Sequence, residues 1–195
     1  SALEADTPVR EQTLSENESK LLENFQFLTA KPMLLLLNIG EKQIPDATSL
    51  EDKFRSTYRS PNCEVAALCG KLEMELTQLD DVEAQEFRSA LGVAESGLDR
   101  LIRLSYSLLG LISFFTTASG EVKAWTIRRN TTAQKAAGKI HTDMERGFIR
   151  AEVISHDDLI KCGSLAEERK RGLLRLEGKN YIVQDGDVVT ILFNV

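Results

Sequence analysis

The chain has little cysteine: Cys63, Cys69 and Cys162 form no C-x-x-C pair, and any internal pairing leaves one thiol over. A secreted disulfide scaffold is therefore not expected, and a reducing cytosol is the natural location. Its only histidines, His141 and His156, make no Cys/His cluster with metal-ligand spacing. Long apolar runs are missing too. The longest, Met33 to Leu37, has five residues, so nothing in the sequence reads as a membrane span. No basic stretch leads into an apolar one, as a signal peptide requires. Twelve glycines and four prolines are too few for a collagenous or linker-dominated chain. Positive charge is also short. A net charge of −6 removes any generic claim to nucleic acid and leaves only a local basic face to support one. The first residue is Ser and not Met, which reads as a processed or engineered terminus of a piece of a longer protein.

What remains is globular in texture. Of 195 residues, 42% are hydrophobic and 28% charged, enough for one generous domain or two small ones. Residues 1–109 carry 11 Lys and Arg against 19 Asp and Glu, whereas residues 110–195 carry 13 against 11. That asymmetry predicts two units with different partners.

Along the chain, Ser15 with Glu18 three places later predicts a capping box, followed by Leu21, Leu22, Phe25 and Leu28 at helical spacing up to Pro32. Met33 to Leu37 reads as a parallel strand, apolar on both faces, with Asn38-Ile39-Gly40-Glu41 at its carboxyl end. A helix over Ser49–Tyr58, a second buried strand from Cys63 to Cys69 and a helix from Leu72 follow. This order is half of a doubly wound α/β sheet. Ala84, Phe87 and Leu91 form a helical stripe, and Ser96 with Asp99 caps a helix over Leu98–Leu109.

After Gly110 the pattern changes. Ile112–Thr117 and Glu121–Ile127 read as strands paired around a Ser119-Gly120 turn. Ala133, Ala136, Ala137 and Ile140 mark a short amphipathic helix. Strands at Ile149–Ile154, Leu173–Glu177 and Val188–Phe193 complete the chain, the last entered through an Asp185-Gly186 turn. Strand pair, helix, then further strands is an α+β, β-grasp (ubiquitin-like) order.

The chemistry starts from an absence. A phosphate loop needs G-x-x-x-x-G-K-[ST], and the three Gly-Lys pairs here continue into Leu72, Ile140 and Asn180, so none supplies the hydroxyl. Asn38-x-x-Glu41 is better placed, since open α/β sheets bind ligands at the carboxyl ends of their strands. Guanine-selective NTPases carry Asn-Lys-x-Asp there, and a longer Glu41 with Ile39 for the Lys disfavours guanine. By itself the pattern also suits an ordinary turn after a strand. Cys69-Gly70-Lys71, ending the next strand where small NTPases carry a Ser-Ala-Lys loop against the base, favours the ligand reading.

Other features read more plainly. His141-Thr142-Asp143 makes no triad by adjacency and suits a helix cap or turn. Trp125 with Arg128 and Arg129 could clamp RNA, though a lone strand Trp more often belongs to the core. Asp157-Asp158 reads as a solvated turn. Arg128, Arg129, Lys135 and Lys139 fall within twelve residues, with Lys135 and Lys139 on one helical face. They form a candidate phosphate-tracking patch, or an ordinary solvated surface.

Two runs carry a family resemblance: 124–133 (AWTIRRNTTA) and 138–153 (GKIHTDMERGFIRAEV). With 180–187 (NYIVQDGD), the closing Phe193-Asn194-Val195, Leu28-Thr29-Ala30-Lys31-Pro32, Glu95-Ser96-Gly97-Leu98 and Phe114-Phe115-Thr116, they make the chain resemble the Obg-like ATPase (YchF) family of P-loop NTPases. The resemblance implies the C-terminal part of such a protein. Residues 1–28 correspond to the return from a helical coiled-coil insertion, 29–109 to the rear of the P-loop domain with its linking helices, and 110–195 to a TGS domain. It also implies ATP preferred over GTP, ribosome or ribosomal RNA as partner, a cytoplasmic location, and ATP with magnesium held by the full-length parent but not tightly by this chain. Asn38, Ile39 and Glu41 fall on the adenine-contacting loop, and Cys69 and Gly70 on the second base-side loop. Two departures from the family pattern bear on base contact: Cys69-Gly70-Lys71 is not Ser-Ala-Lys, and Gly40 replaces a more usual acidic or polar residue.

Two functional readings follow. In one, the chain is the base-recognising and TGS part of an ATPase, inactive alone. In the other, it is a freestanding RNA- or ribosome-binding module whose α/β part is scaffold. A small enzyme of another kind finds no catalytic constellation here.

Overall fold

The computed structural model describes residues 2–194 except 59, 61, 94, 119–120 and 164–171. It divides into two compact units, Ser1–Leu109 and Gly110–Val195.

The first unit opens with a capped helix. Ser15 Oγ accepts from the Glu18 amide, and the Glu18 carboxylate accepts from the Ser15 amide at 2.8 Å, which starts α1 (Glu16–Glu23). Leu21, Phe25 and Leu28, spaced as a buried stripe, are exposed instead. Strand β1 (Met33–Asn38) leads through a 3₁₀ turn at Glu41–Asp46 into α2 (Ala47–Thr57), and β2 (Cys63–Leu68) follows. The two strands pair in parallel from Met33↔Cys63 to Asn38↔Leu68, so both carboxyl ends finish at one level. Helices α3 (Gly70–Leu76), α4 (Asp81–Ala90) and α5 (Gly97–Leu108) complete the unit. Ile39, Ala67, Cys69, Leu72, Leu76 and Ala84 form its core.

Two sequence expectations are corrected here. Strand β1 is not buried on both faces, since Leu36 is 44% exposed; among the described residues β2 is the only strand paired with β1. In the α4 stripe Ala84 is buried but Phe87 is exposed, so the helix packs through its small residue.

Strand β2 has a protected outer edge. Its Ala67 amide donates to Glu51 Oε1 at 2.7 Å, and its Val65 carbonyl accepts from Arg55 at 3.3 Å. The Ala67 carbonyl accepts from Arg100 at 3.3 Å. Charged side chains thus take the place of a further strand.

In the second unit β3 (Leu111–Ala118) and β4 (Glu121–Arg128) are antiparallel; the expected Ser119-Gly120 turn lies outside the described residues. Then come α6 (Ala133–Ile140), α7 (Thr142–Arg146), β5 (Phe148–Ser155), α8 (His156–Cys162), β6 (Arg175–Glu177) and β7 (Asp187–Phe193). The sheet order is β4-β3-β7-β5-β6, with β7 parallel to β3 and antiparallel to β5. Ala133, Ala136 and Ala137 are fully buried, and their small side chains let α6 approach a core of Ile112, Phe114, Ile127, Val153 and Val189.

Local chemistry settles several details of this unit. Trp125 packs against the core and donates Nε1–H to Thr116 Oγ1 at 2.9 Å. His141 caps α7, its Nδ1 accepting from the Asp143 amide at 3.2 Å. Asp157 and Asp158 lie in the first turn of α8, not in a loop. Ser155 caps that helix by accepting from the Asp158 amide, and carboxylates suit the positive end of a helix. The Asp185-Gly186 turn has Gly186 at φ +81° and is pinned to β3, with Asp185 Oδ1 accepting from the Ser113 amide at 2.8 Å.

Candidate functional site

Because the strands end level, the loops that follow them meet. Asn38 closes β1, and its Oδ1 accepts from the Gly70 amide at 3.1 Å, joining the two expected base-side loops. The N–H donor identifies which end of the Asn38 amide is oxygen, so the NH₂ end keeps both of its donors. A Cβ at position 70 would stand 3.2 Å from Asn38 Oδ1, so glycine allows the close approach.

The five expected residues divide by burial. Ile39 and Cys69 turn their side chains into the core, where they pack with Leu72 and Ala67. Asn38, Gly40 and Glu41 are exposed, and Gly70 is half-buried. Gln43 Oε1 accepts from the Gly40 amide at 3.0 Å, which shapes the turn and leaves Glu41 leading the 3₁₀ segment. The outer side of the paired loops thus offers an amide donor, a carboxylate and a glycine backbone. That set can read the polar edge of a planar base.

It does not extend to phosphates. Among the described residues no group of three or more His, Cys, Asp or Glu could hold a metal, and the sequence has no G-x-x-x-x-G-K-[ST] loop.

Sequence reasoning missed the support beneath the loops. Glu51 on α2 is 4% exposed, and its carboxylate holds Arg100 of α5 at 2.7 Å and the Ala67 amide at 2.7 Å. Burial pushes the Glu51 carboxyl up, but hydrogen bonds from Arg100 and Ala67, with the Arg100 and Arg55 charges, outweigh it and hold it below the ordinary value. The one local signal for it is the i,i+4 spacing of Glu51 and Arg55.

On the second unit Arg128 ends β4, and the Arg129 amide donates to the Gly110 carbonyl at 2.8 Å. Lys135 and Lys139 point outward on α6. Lys135 is already engaged, with Nζ 2.6 Å from Glu145 Oε1. The Glu145 carboxylate leans across position 138, where only glycine leaves it room. No ion pair of Arg128, Arg129 or Lys139 is found among the described residues.

Comparison with known proteins gives a consistent result. The YchF-GTPase_C family model, described as a protein of unknown function (DUF933), matches residues 111–194. The chain is 44% identical over its whole length to a ribosome-binding ATPase YchF of Bacillus subtilis, covering 54% of that protein. It is 40% identical to an Obg-like ATPase 1 of Caenorhabditis elegans over 98% of the chain and 49% of the relative. The solved structure of the Schizosaccharomyces pombe YchF GTPase superposes with a TM-score of 0.82 at 30% identity, covering 97% of this chain and 50% of that one. The chain spans about half the length of the curated relatives it matches. No described helix is long and apolar enough to cross a membrane.

Proposed function

The chain belongs to the YchF family of Obg-like ATPases, and on that premise we propose that it supplies the adenine-recognising loops and an interaction domain of a cytoplasmic, ribosome-associated ATPase. Residues 1–28 are the return from a helical coiled-coil insertion, 29–109 the rear of a P-loop domain, and 110–195 a β-grasp TGS domain. The preceding part of the parent holds the phosphates and magnesium, and this chain alone does not hydrolyse ATP. Such chemistry rests on positioned backbone amides, a lysine and a metal, and the sequence has no G-x-x-x-x-G-K-[ST] loop to gather them.

One observation carries the proposal: the Asn38–Gly70 hydrogen bond welds the two loops while leaving Asn38 NH₂ and Glu41 facing outward. The amide can donate to purine N7, common to both bases. Glu41 then discriminates, because it extends further than the Asp that accepts from guanine N1–H and its 2-amino group. Ile39, buried in the core, replaces a lysine.

Substituting Ile39→Lys together with Glu41→Asp in the full-length protein tests this. A hydrogen-bond mismatch is worth about 1–3 kcal/mol, so the GTP-to-ATP affinity ratio should rise about tenfold or more. An unchanged ratio overturns the assignment. A second reading, a freestanding RNA- or ribosome-binding module, draws on the exposed Arg128, Arg129 and Lys139. Magnesium-dependent phosphate release by the full-length protein separates the two.

A further inference from the structure

The first turn of α5 is fastened by two carboxylates, each from a helix that follows one of the loops. Glu51 comes from α2, behind the Asn38–Glu41 loop, and Glu73 from α3, behind Cys69-Gly70. Glu73 Oε1 accepts from the Gly97 amide at 3.0 Å, and a Cβ at Gly97 would lie 2.8 Å from that carboxylate. Glu51 binds Arg100 through Oε2 and the Ala67 amide through Oε1, each at 2.7 Å. The Arg100 guanidinium also donates to the Ala67 carbonyl at 3.3 Å. One carboxylate–guanidinium pair therefore engages both backbone groups of Ala67, two residues before Cys69 and three before Gly70. A cavity of about 290 Å³ lies beside this clamp, lined by Ile39, Cys69, Leu72, Glu73, Gly97 and Arg100 among others, so packing alone does not hold the loops from below.

A partly buried ion pair such as Glu51–Arg100 contributes little net stability, because desolvation offsets much of the attraction. It does restrict placement, since few arrangements satisfy both carboxylate oxygens and both Ala67 groups together. We infer that Arg100 is a positioning residue for the paired loops, setting β2 through Glu51 and Ala67 so that the Gly70 amide meets Asn38 Oδ1. The inference rests on the base-binding reading for its function but not for its geometry. By reciprocity, a base seated on the loops stabilises the docking of α5 as much as docked α5 favours the base.

The test uses the 195-residue chain with Arg100→Met and Arg100→Lys variants, read by amide hydrogen exchange and by NMR titration with adenosine 5′-monophosphate. Arg100→Met should speed exchange of the Gly70 amide about tenfold, the loss expected for one charged hydrogen bond, with the Leu76 and Ala84 amides nearly unchanged. Arg100→Lys keeps the charge beside Glu51 but lacks the fork that also reaches Ala67. It should keep overall stability and leave Gly70 exchange fast. Both variants should weaken the nucleotide-induced shifts at Gly70 and Asn38. Exchange that rises equally at Gly70, Leu76 and Ala84 shows a merely structural role and overturns the inference, as does unchanged Gly70 exchange. If the GTP-to-ATP ratio of the full-length Ile39→Lys/Glu41→Asp variant is unchanged, the base-binding reading fails, while the exchange results still decide whether Arg100 sets the loops.

Discussion

Several residues in this protein are determined by the space left for them. Gly147 follows α7, and its carbonyl accepts from the Asn194 amide at 3.0 Å. A Cβ there would overlap the Asn194 backbone carbonyl, which cannot rotate aside as a flexible side chain could. Gly147→Ala should therefore cost about 1–3 kcal/mol, as overpacking against backbone does. Trp125, the lone tryptophan, reports on the second unit, and its fluorescence during urea unfolding measures the loss. Gly178→Ala is the control, since nothing lies within 4 Å of its added Cβ, and its midpoint should stay near that of the unaltered chain. Equal midpoints for the two variants would show that β7 can shift to make room. The same reasoning applies at Gly70, whose missing Cβ permits the bond to Asn38.

At the scale of elements, the edge of β2 illustrates what a strand needs when no further strand follows it. Arg55, Glu51 and Arg100 answer its outward backbone groups, and this arrangement is sensitive to acid. Although burial raises the Glu51 carboxyl, the hydrogen bonds and charges around it lower it by more, so its folded value lies below the unfolded one. Its contribution is complete above the ordinary glutamate value of about 4.3 and disappears as pH falls through the lower folded value. Unfolding of the first unit, followed by the NMR signals of the Leu76 and Ala84 amides, should accordingly ease below about pH 4. Glu51→Gln should flatten that acid limb while lowering stability at neutral pH, where Arg100 is left beside an uncharged amide. An acid limb of unchanged slope would place the sensitivity in other carboxylates.

For the whole molecule, the partition of charge bears on partners. The second unit's cations are not equivalent, because Lys135 is paired with Glu145 whereas Arg128, Arg129 and Lys139 show no ion pair among the described residues. If the second unit tracks ribosomal phosphates, each cation removed should lower the salt slope of binding by about one unit. Arg128→Ala, Arg129→Ala and Lys139→Ala should each do so in ribosome co-sedimentation across a salt series, and Lys135→Ala should have the smallest effect. A triple variant that remains folded and keeps the same affinity and slope would move the contact elsewhere.

Local pattern carries much of this protein. The capping box at Ser15, the parallel apolar strands, the alanine stripe of α6 and the Asp185-Gly186 turn were legible because each depends on neighbours in the sequence or on one periodicity. The candidate loops were legible as positions, since strand ends are where open sheets bind ligands. Their connection was not. The Asn38–Gly70 bond spans 32 residues and the Glu51–Arg100 pair spans 49, and no spacing rule reaches that far. Nor could the sequence by itself determine that Ile39 and Cys69 turn inward, that Leu36 stays exposed, or that Lys135 is already paired. Those outcomes follow from which surfaces meet in three dimensions, where burial and partner geometry are decided by packing between distant segments.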